Sequence, residues 1–173
     1  LHDALPIWPS VTIVDTGLNT QTGGRVKRIK KYVGDEPFLL TYGDAVSDVN
    51  IQELVEFHKN HGRIGTVSVY NFGQNKGVLE LGEDGSVAAF REKSDLDGDL
   101  INIGFMVFEP QLFDYIADDF TVFEKEPMLG LVEKHELMSY VHTGYWQCMD
   151  TLREKQKLEE LWQSNKAPWK TWE

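Results

Sequence analysis

Two acids far apart in the chain are the residues best suited to chemistry. Asp44 ends the run Leu39-Leu40-Thr41-Tyr42-Gly43-Asp44, and Asp150 lies in Met149-Asp150-Thr151. Mg2+ takes oxygen ligands, commonly one or two carboxylates with substrate phosphate oxygens and water. If Asp44 and Asp150 converge, they form a divalent-metal site for phosphate chemistry. On residues alone the plain alternative stays open, with Asp44 a turn residue and Asp150 a helix N-cap.

Other positions offer binding groups. Glu92-Lys93 follows a strand-like run and sets a carboxylate for sugar hydroxyls beside an ammonium for a phosphate; such pairs are also common on plain surfaces. Asn102 interrupts an apolar strand, so its amide needs hydrogen-bond partners. Gly104 two residues on suggests close approach of a backbone or ligand. Gly23-Gly24-Arg25 at a helix start can offer N–H groups to an anion or a base edge. His58, His61, His135 and His142 lack metal-ligand spacing, and Cys148 has no base nearby in sequence. No GxSxG, Walker lysine or zinc pattern occurs.

The elements that must position these groups alternate between strand and helix. Val11–Asp15 reads as a strand, followed by a basic amphipathic helix from Gly23 with Val26, Ile29 and Val33 on one face. Phe38-Leu39-Leu40 reads as a buried strand of a parallel sheet, because an unbroken apolar run has both faces covered. Gly43 turns the chain and delivers Asp44 to the carboxyl edge, where ligands bind in open α/β sheets. Asp48 or Asn50 caps a helix through Lys59, with Ile51, Leu54, Val55 and His58 as its stripe. Thr66–Tyr70 is β-rich, and Val78–Leu81 with Val87–Arg91 makes a hairpin. Leu100–Phe108 is a strand, helices follow over Gln111–Ile116 and Glu124–Lys134, and Leu137–His142 is a strand. Thr151–Trp162 is helical, with Leu152, Leu158, Leu161 and Trp162 toward the core. The fold class is α/β, a layered mixed sheet flanked by helices with a β-hairpin insertion.

Composition sets the bounds. The 173 residues, 41% hydrophobic, suit one domain with a real core. A net charge of -11 argues against a nucleic-acid groove. Anionic ligands then need a bound cation or local basic groups, such as Arg25, Lys27, Arg28, Lys30 and Lys31, or Arg91 and Lys93. No apolar run approaches the ~20 residues of a membrane span. The single cysteine fits a reducing compartment, so a cytoplasmic protein is expected. Residues 1–10, above all LHDALPI at Leu1–Ile7, read as a non-native leader before a domain over 11–173.

Several strings resemble the sugar-1-phosphate nucleotidyltransferases: VDTG and TGGRVKRI within Val14–Ile29, FLLTYGDAVSDVNI at Phe38–Ile51, and FREKSDLDG at Phe90–Gly98. INIGFMVFEP at Ile101–Pro110, FEKEPMLGL at Phe123–Leu131 and GYWQCMDTLREK at Gly144–Lys155 continue the match. TGGR with the MDTLR and APWKTW endings points to the cytidylyl branch. The resemblance implies a Rossmann-like sheet and a Mg2+-dependent reaction of CTP with glucose 1-phosphate, giving CDP-glucose and pyrophosphate. By the match, Asp44 and Asp150 hold the metal, Lys93 clamps the sugar phosphate and Glu92 accepts hexose hydroxyls. Asn102 and Gly104 line the sugar pocket, while Gly24 and Arg25 border the nucleotide. The family's N-terminal G-G-x-G-T-R loop has no counterpart here, so the fold is expected to be N-terminally truncated and this chain alone inactive. Ser94 and Asn75-Lys76-Gly77 also depart from the family pattern.

Three rivals stay in play. A thymidylyl- or uridylyltransferase differs only in base. An aspartyl phosphatase using Asp44 would want a second acid where Val46 stands. A non-catalytic regulatory or assembly module would keep the fold, and the aromatic tail (Trp162, Trp169, Trp172) would suit a homo-oligomer interface.

Overall fold

A computed structural model describes residues 10–71, 78–81, 87–91 and 100–172. Glu92, Lys93, Ser94, Asn75–Gly77 and the leader through residue 9 lie outside the described residues. Among the described residues no helix is long and apolar enough to cross a membrane.

Among the described residues the first regular element is a helix, not a strand. Residues 10–20 are irregular, with Val11 82% and Ile13 94% exposed. A strand needs a neighbour for its N–H and C=O groups, and no described strand pairs with Val11–Asp15. Side chains hold the segment instead. Asp15 Oδ1 accepts from Gly17 N at 2.8 Å, and Arg25 donates to Thr16 Oγ1 at 2.6 Å. The basic helix is broken at Ile29 into α1 (Thr22–Arg28) and α2 (Lys30–Val33).

The main sheet has the order β1-β6-β3-β7, formed by β1 (Phe38–Leu40), β6 (Leu100–Phe108), β3 (Gly65–Asn71) and β7 (Leu137–His142). Only β3–β7 is parallel; β1–β6 and β3–β6 are antiparallel. The buried parallel strand expected at Phe38–Leu40 is instead antiparallel to β6 and at the edge of the sheet among the described residues, with Leu39 53% exposed. Phe38 and Leu40 pack on one face while Leu39 is exposed on the other. A separate two-stranded ladder joins β2 (Ala45–Ser47) to β8 (Trp146–Cys148), and β4 (Val78–Leu81) pairs with β5 (Val87–Arg91) as the expected hairpin.

Alternation along β6 divides the core between the two faces of the sheet. Met106 and Phe108 face one cluster with Val67, Val69, Leu112, Phe113, Ile116, Phe123 and Leu131. Ile103 and Val107 face the other, with Val49 and Leu54. The first face is covered by α1, α2, a 3-10 helix at Pro110–Tyr115 and α4 (Glu126–Glu133). The second is covered by α3 (Ile51–His61), whose Leu54 is fully buried.

Asn50, not Asp48, caps α3, accepting from Gln52 N at 3.1 Å and Glu53 N at 3.3 Å. Asp48 instead accepts from Tyr145 N at 2.6 Å. Under α3, Thr66 Oγ1 lies 2.8 Å from His58 Nδ1 and 2.7 Å from His61 Nε2. Arg63 N donates to His61 Nδ1 at 2.9 Å, and His58 Nε2 faces Glu109 Oε1 at 3.3 Å. In the last helix, α5 (Leu152–Gln163), Leu158 is buried but Leu152 is 69% exposed and Trp162 51%.

Candidate active site

The β2–β8 ladder brings the backbone at Asp44 and the backbone at Asp150 to the same end. Ala45 is opposite Cys148, and one step outward Met149 N donates to the Asp44 carbonyl at 2.8 Å. Asp150 is the next residue, so the two acids stand at the same end of one ladder, and both are exposed. Gly43, between Tyr42 and Asp44, does not take a positive φ, and a Cβ there would meet nothing within 4 Å. The turn is therefore not a glycine-dictated one.

Around Asp150 the chain builds a helix start. Thr151, rather than Asp150, is the N-cap of α5, in a capping box with Glu154. Glu154 Oε2 accepts from Asp150 N at 3.0 Å and Thr151 N at 2.8 Å. Its carboxyl is held below the usual range, first by the Thr151 side chain and then by these N–H groups. Cys148 Sγ, Asp150 and Glu154 present ligand atoms within 4.8 Å of one another. Burial and the two acids push the Cys148 thiol up to about 11, so it is a protonated donor toward Glu154 Oε1 at 3.6 Å. With Glu154 occupied by the cap, the donors left at this rim are hard carboxylate oxygens, a set that suits Mg2+ better than a soft ion.

Beside Asp44, Tyr42 is the hub of a network the sequence reading missed. Its hydroxyl donates to Glu124 Oε1 at 2.8 Å, and Thr22 Oγ1 donates to Glu124 Oε2 at 2.8 Å. Burial, then the Glu124 carboxylate, raises the phenol well above its ordinary range. Gly104 is buried at φ +85°, and a Cβ there would collide with the Tyr42 ring. The close approach expected at Gly104 is thus made by Tyr42. Asn102 is exposed rather than buried, and its Oδ1 accepts from Gly104 N at 2.9 Å.

Gly23 and Gly24 are buried against the segment before α4. A Cβ on Gly23 would lie 2.7 Å from Thr121 O, and one on Gly24 would lie 2.6 Å from Asp119 Cα. Gly23 N already donates to Thr121 O at 3.0 Å. The neighbouring basic residues are likewise engaged: Lys27 Nζ donates to Ile116 O at 2.6 Å, and Arg28 pairs with Asp119. Arg25 remains beside a cleft of about 300 Å³, which Thr16, Thr22, Leu40, Tyr42 and Glu124 also line. Ser47, His142 and Asp48 sit together without forming a nucleophilic triad. Ser47 Oγ at 3.2 Å and Asp48 Oδ1 at 3.0 Å both face the same ring nitrogen, Nε2 of His142.

Residues 9–154 match the family model described as Nucleotidyl transferase. The chain belongs to that family. A glucose-1-phosphate cytidylyltransferase of Salmonella typhi is 47% identical over 99% of this chain. This chain spans 66% of that relative's length. A mannose-1-phosphate guanylyltransferase catalytic subunit beta of Drosophila pseudoobscura pseudoobscura is 34% identical over 64% of the chain and 31% of its own length. Among solved structures, UDP-glucose pyrophosphorylase complexed with UDP-glucose superposes with a TM-score of 0.64 at 12% identity, covering 88% of this chain and 65% of that one. That likeness speaks for the nucleotidyl transferase fold, a Rossmann-like mixed sheet layered with helices.

Proposed function

We propose that this chain forms the greater part of a glucose-1-phosphate cytidylyltransferase, which moves a cytidylyl group from CTP to α-D-glucose 1-phosphate and releases pyrophosphate. The observation that carries the proposal is the Met149–Asp44 backbone hydrogen bond across the β2–β8 ladder, which supports reading Asp44 and Asp150 as one site. The 47% identity to the Salmonella typhi cytidylyltransferase favours cytosine over other bases.

In this reading a phosphate oxygen of the sugar attacks the α-phosphorus of CTP in line. The bond to the bridging oxygen breaks, and pyrophosphate leaves. Asp44 and Asp150 would hold Mg2+, which when bound neutralises phosphate charge. Lys93 would pair with the sugar phosphate and Glu92 would accept hexose hydroxyls. Asn102 and Gly104 would line the sugar side, with Gly24 and Arg25 bordering the nucleotide. No covalent chemistry is asked of the protein; holding the reactants and balancing charge supply the rate.

The test is pyrophosphate release with Mg2+, glucose 1-phosphate and each of CTP, UTP and dTTP. It is run on this chain and on a chimera that adds the remaining third of the Salmonella typhi protein. The expected result is turnover of CTP by the chimera and none by this chain alone. In the chimera, Asp44→Asn and Asp150→Asn should each cost more than about tenfold in turnover, ~1.4 kcal/mol of barrier. Smaller losses would remove both acids from the metal site, and preference for UTP or dTTP would replace the cytidylyl assignment.

A further inference from the structure

We infer that Glu124 is a positioning residue for Asp44, acting through Tyr42. The segment Thr41–Asp44 leaves the sheet edge after Leu40 and is next fixed by the Asp44 carbonyl on Met149 N. Between those points the turn has little to hold it. Among the described residues Thr41 Oγ1 bonds locally, to Tyr42 O at 3.2 Å, a Cβ on Gly43 would meet nothing within 4 Å, and Asp44 is exposed. Tyr42 is the side chain that goes inward. Its ring fills the space that glycine at position 104 leaves free, and its hydroxyl ends on Glu124 Oε1 at 2.8 Å.

Glu124 is itself anchored on both sides. Phe123, the residue before it, is 1% exposed and sits in the core. Phe123 N donates to Thr22 Oγ1 at 2.9 Å, and that hydroxyl donates to Glu124 Oε2 at 2.8 Å. One carboxylate thus receives two hydroxyl protons, from the first residue of α1 and from the turn that carries Asp44. Hydrogen bonds to an ionised acceptor are shorter and stronger than neutral ones. Because each oxygen already has a hydroxyl donor, the geometry favours a bridge over direct capture of a ligand.

This inference rests on Asp44 as a metal ligand, and the experiment separates the two. Amide exchange at Tyr42–Ala45 and Mn2+ affinity by electron paramagnetic resonance are measured on the full chain and on E124A, E124Q, Y42F and D44N. E124A and Y42F should speed exchange at Tyr42–Ala45 while leaving α3 and β3 protected. They should weaken Mn2+ binding about tenfold, the scale for groups that orient metal ligands. E124Q should keep most of both properties, because its amide can still meet the two hydroxyls. Unchanged exchange at Tyr42–Ala45 in E124A and Y42F overturns the bridge, as does E124Q behaving like E124A. If D44N leaves Mn2+ affinity unchanged, or the chain takes up no Mn2+, the metal reading of Asp44 falls while exchange still decides the bridge.

Discussion

Thr66 has one hydroxyl proton to share between two imidazoles, and that arithmetic sets both ring states. Arg63 N donates to His61 Nδ1, so neutral His61 carries its proton on Nε2 and gives it to Thr66 Oγ1. Thr66 then donates to His58 Nδ1, leaving His58 Nε2–H toward Glu109. A proton added to His58 Nδ1 would meet a donor. Burial lowers both histidines below their ordinary 6.5, outweighing the pull of Glu109 on His58. The unfolded chain therefore takes up protons near pH 6.5 that the folded chain refuses. The contribution of these two histidines to stability is complete above 6.5 and is lost as the pH falls below it. Thermal melts should show a lower midpoint at pH 5 than at pH 7.5. Thr66→Val should cost about 1–3 kcal/mol at neutral pH by stranding two ring nitrogens. None of this was legible in the chain, where the histidines show no spacing pattern. Asp44 stands out in the sequence because it ends an apolar strand-like run, and Asp150 because it opens a helical run. Tyr42 and Glu124 do not, since a hydroxyl and a carboxylate so far apart in sequence leave no local mark.

At the scale of elements, local chemistry was readable wherever it is local. The stop of α3 at Gly62, φ +64°, follows from residue type, whereas its cap stayed open between Asp48 and Asn50 until the backbone placed Asn50 there. The start of α5 was read correctly in place but assigned to the wrong residue, because Thr151 with Glu154 makes a better box than Asp150. Thr151→Ala should destabilise by about 0.5–2 kcal/mol, read from denaturant melts. Glu154 is held below its ordinary 4.5 by its hydrogen bonds. Its contribution is present above about pH 4.5 and lost as the pH drops through its lower folded value, so the helix should fray from Leu152 in acid. Strand direction was not readable. Phe38–Leu40 has the same apolar run whether its neighbour is parallel or antiparallel, and only the return of β6 decides it. The glycine pair at Gly23-Gly24 announced a close approach without saying to what. Gly24→Ala, pressed against Asp119 backbone, should cost about 1–3 kcal/mol in the same melts.

For the molecule as a whole, the layered α/β class followed from alternation, and the sheet order did not, because pairing is fixed by contacts between distant segments. The most distant described pairing is β2 with β8, residues 45–47 with 146–148. It is also short, three residues a side, and lies outside the four-stranded sheet. Closing so large a chain loop for so few bonds is entropically uphill until the rest is in place. Pulse-labelled exchange during refolding should find Val46 and Gln147 protected after Val67 and Met106. The rim that gathers Asp44 and Asp150 would then be the last part of the structure to assemble, and an ion bound there would report that folding is finished.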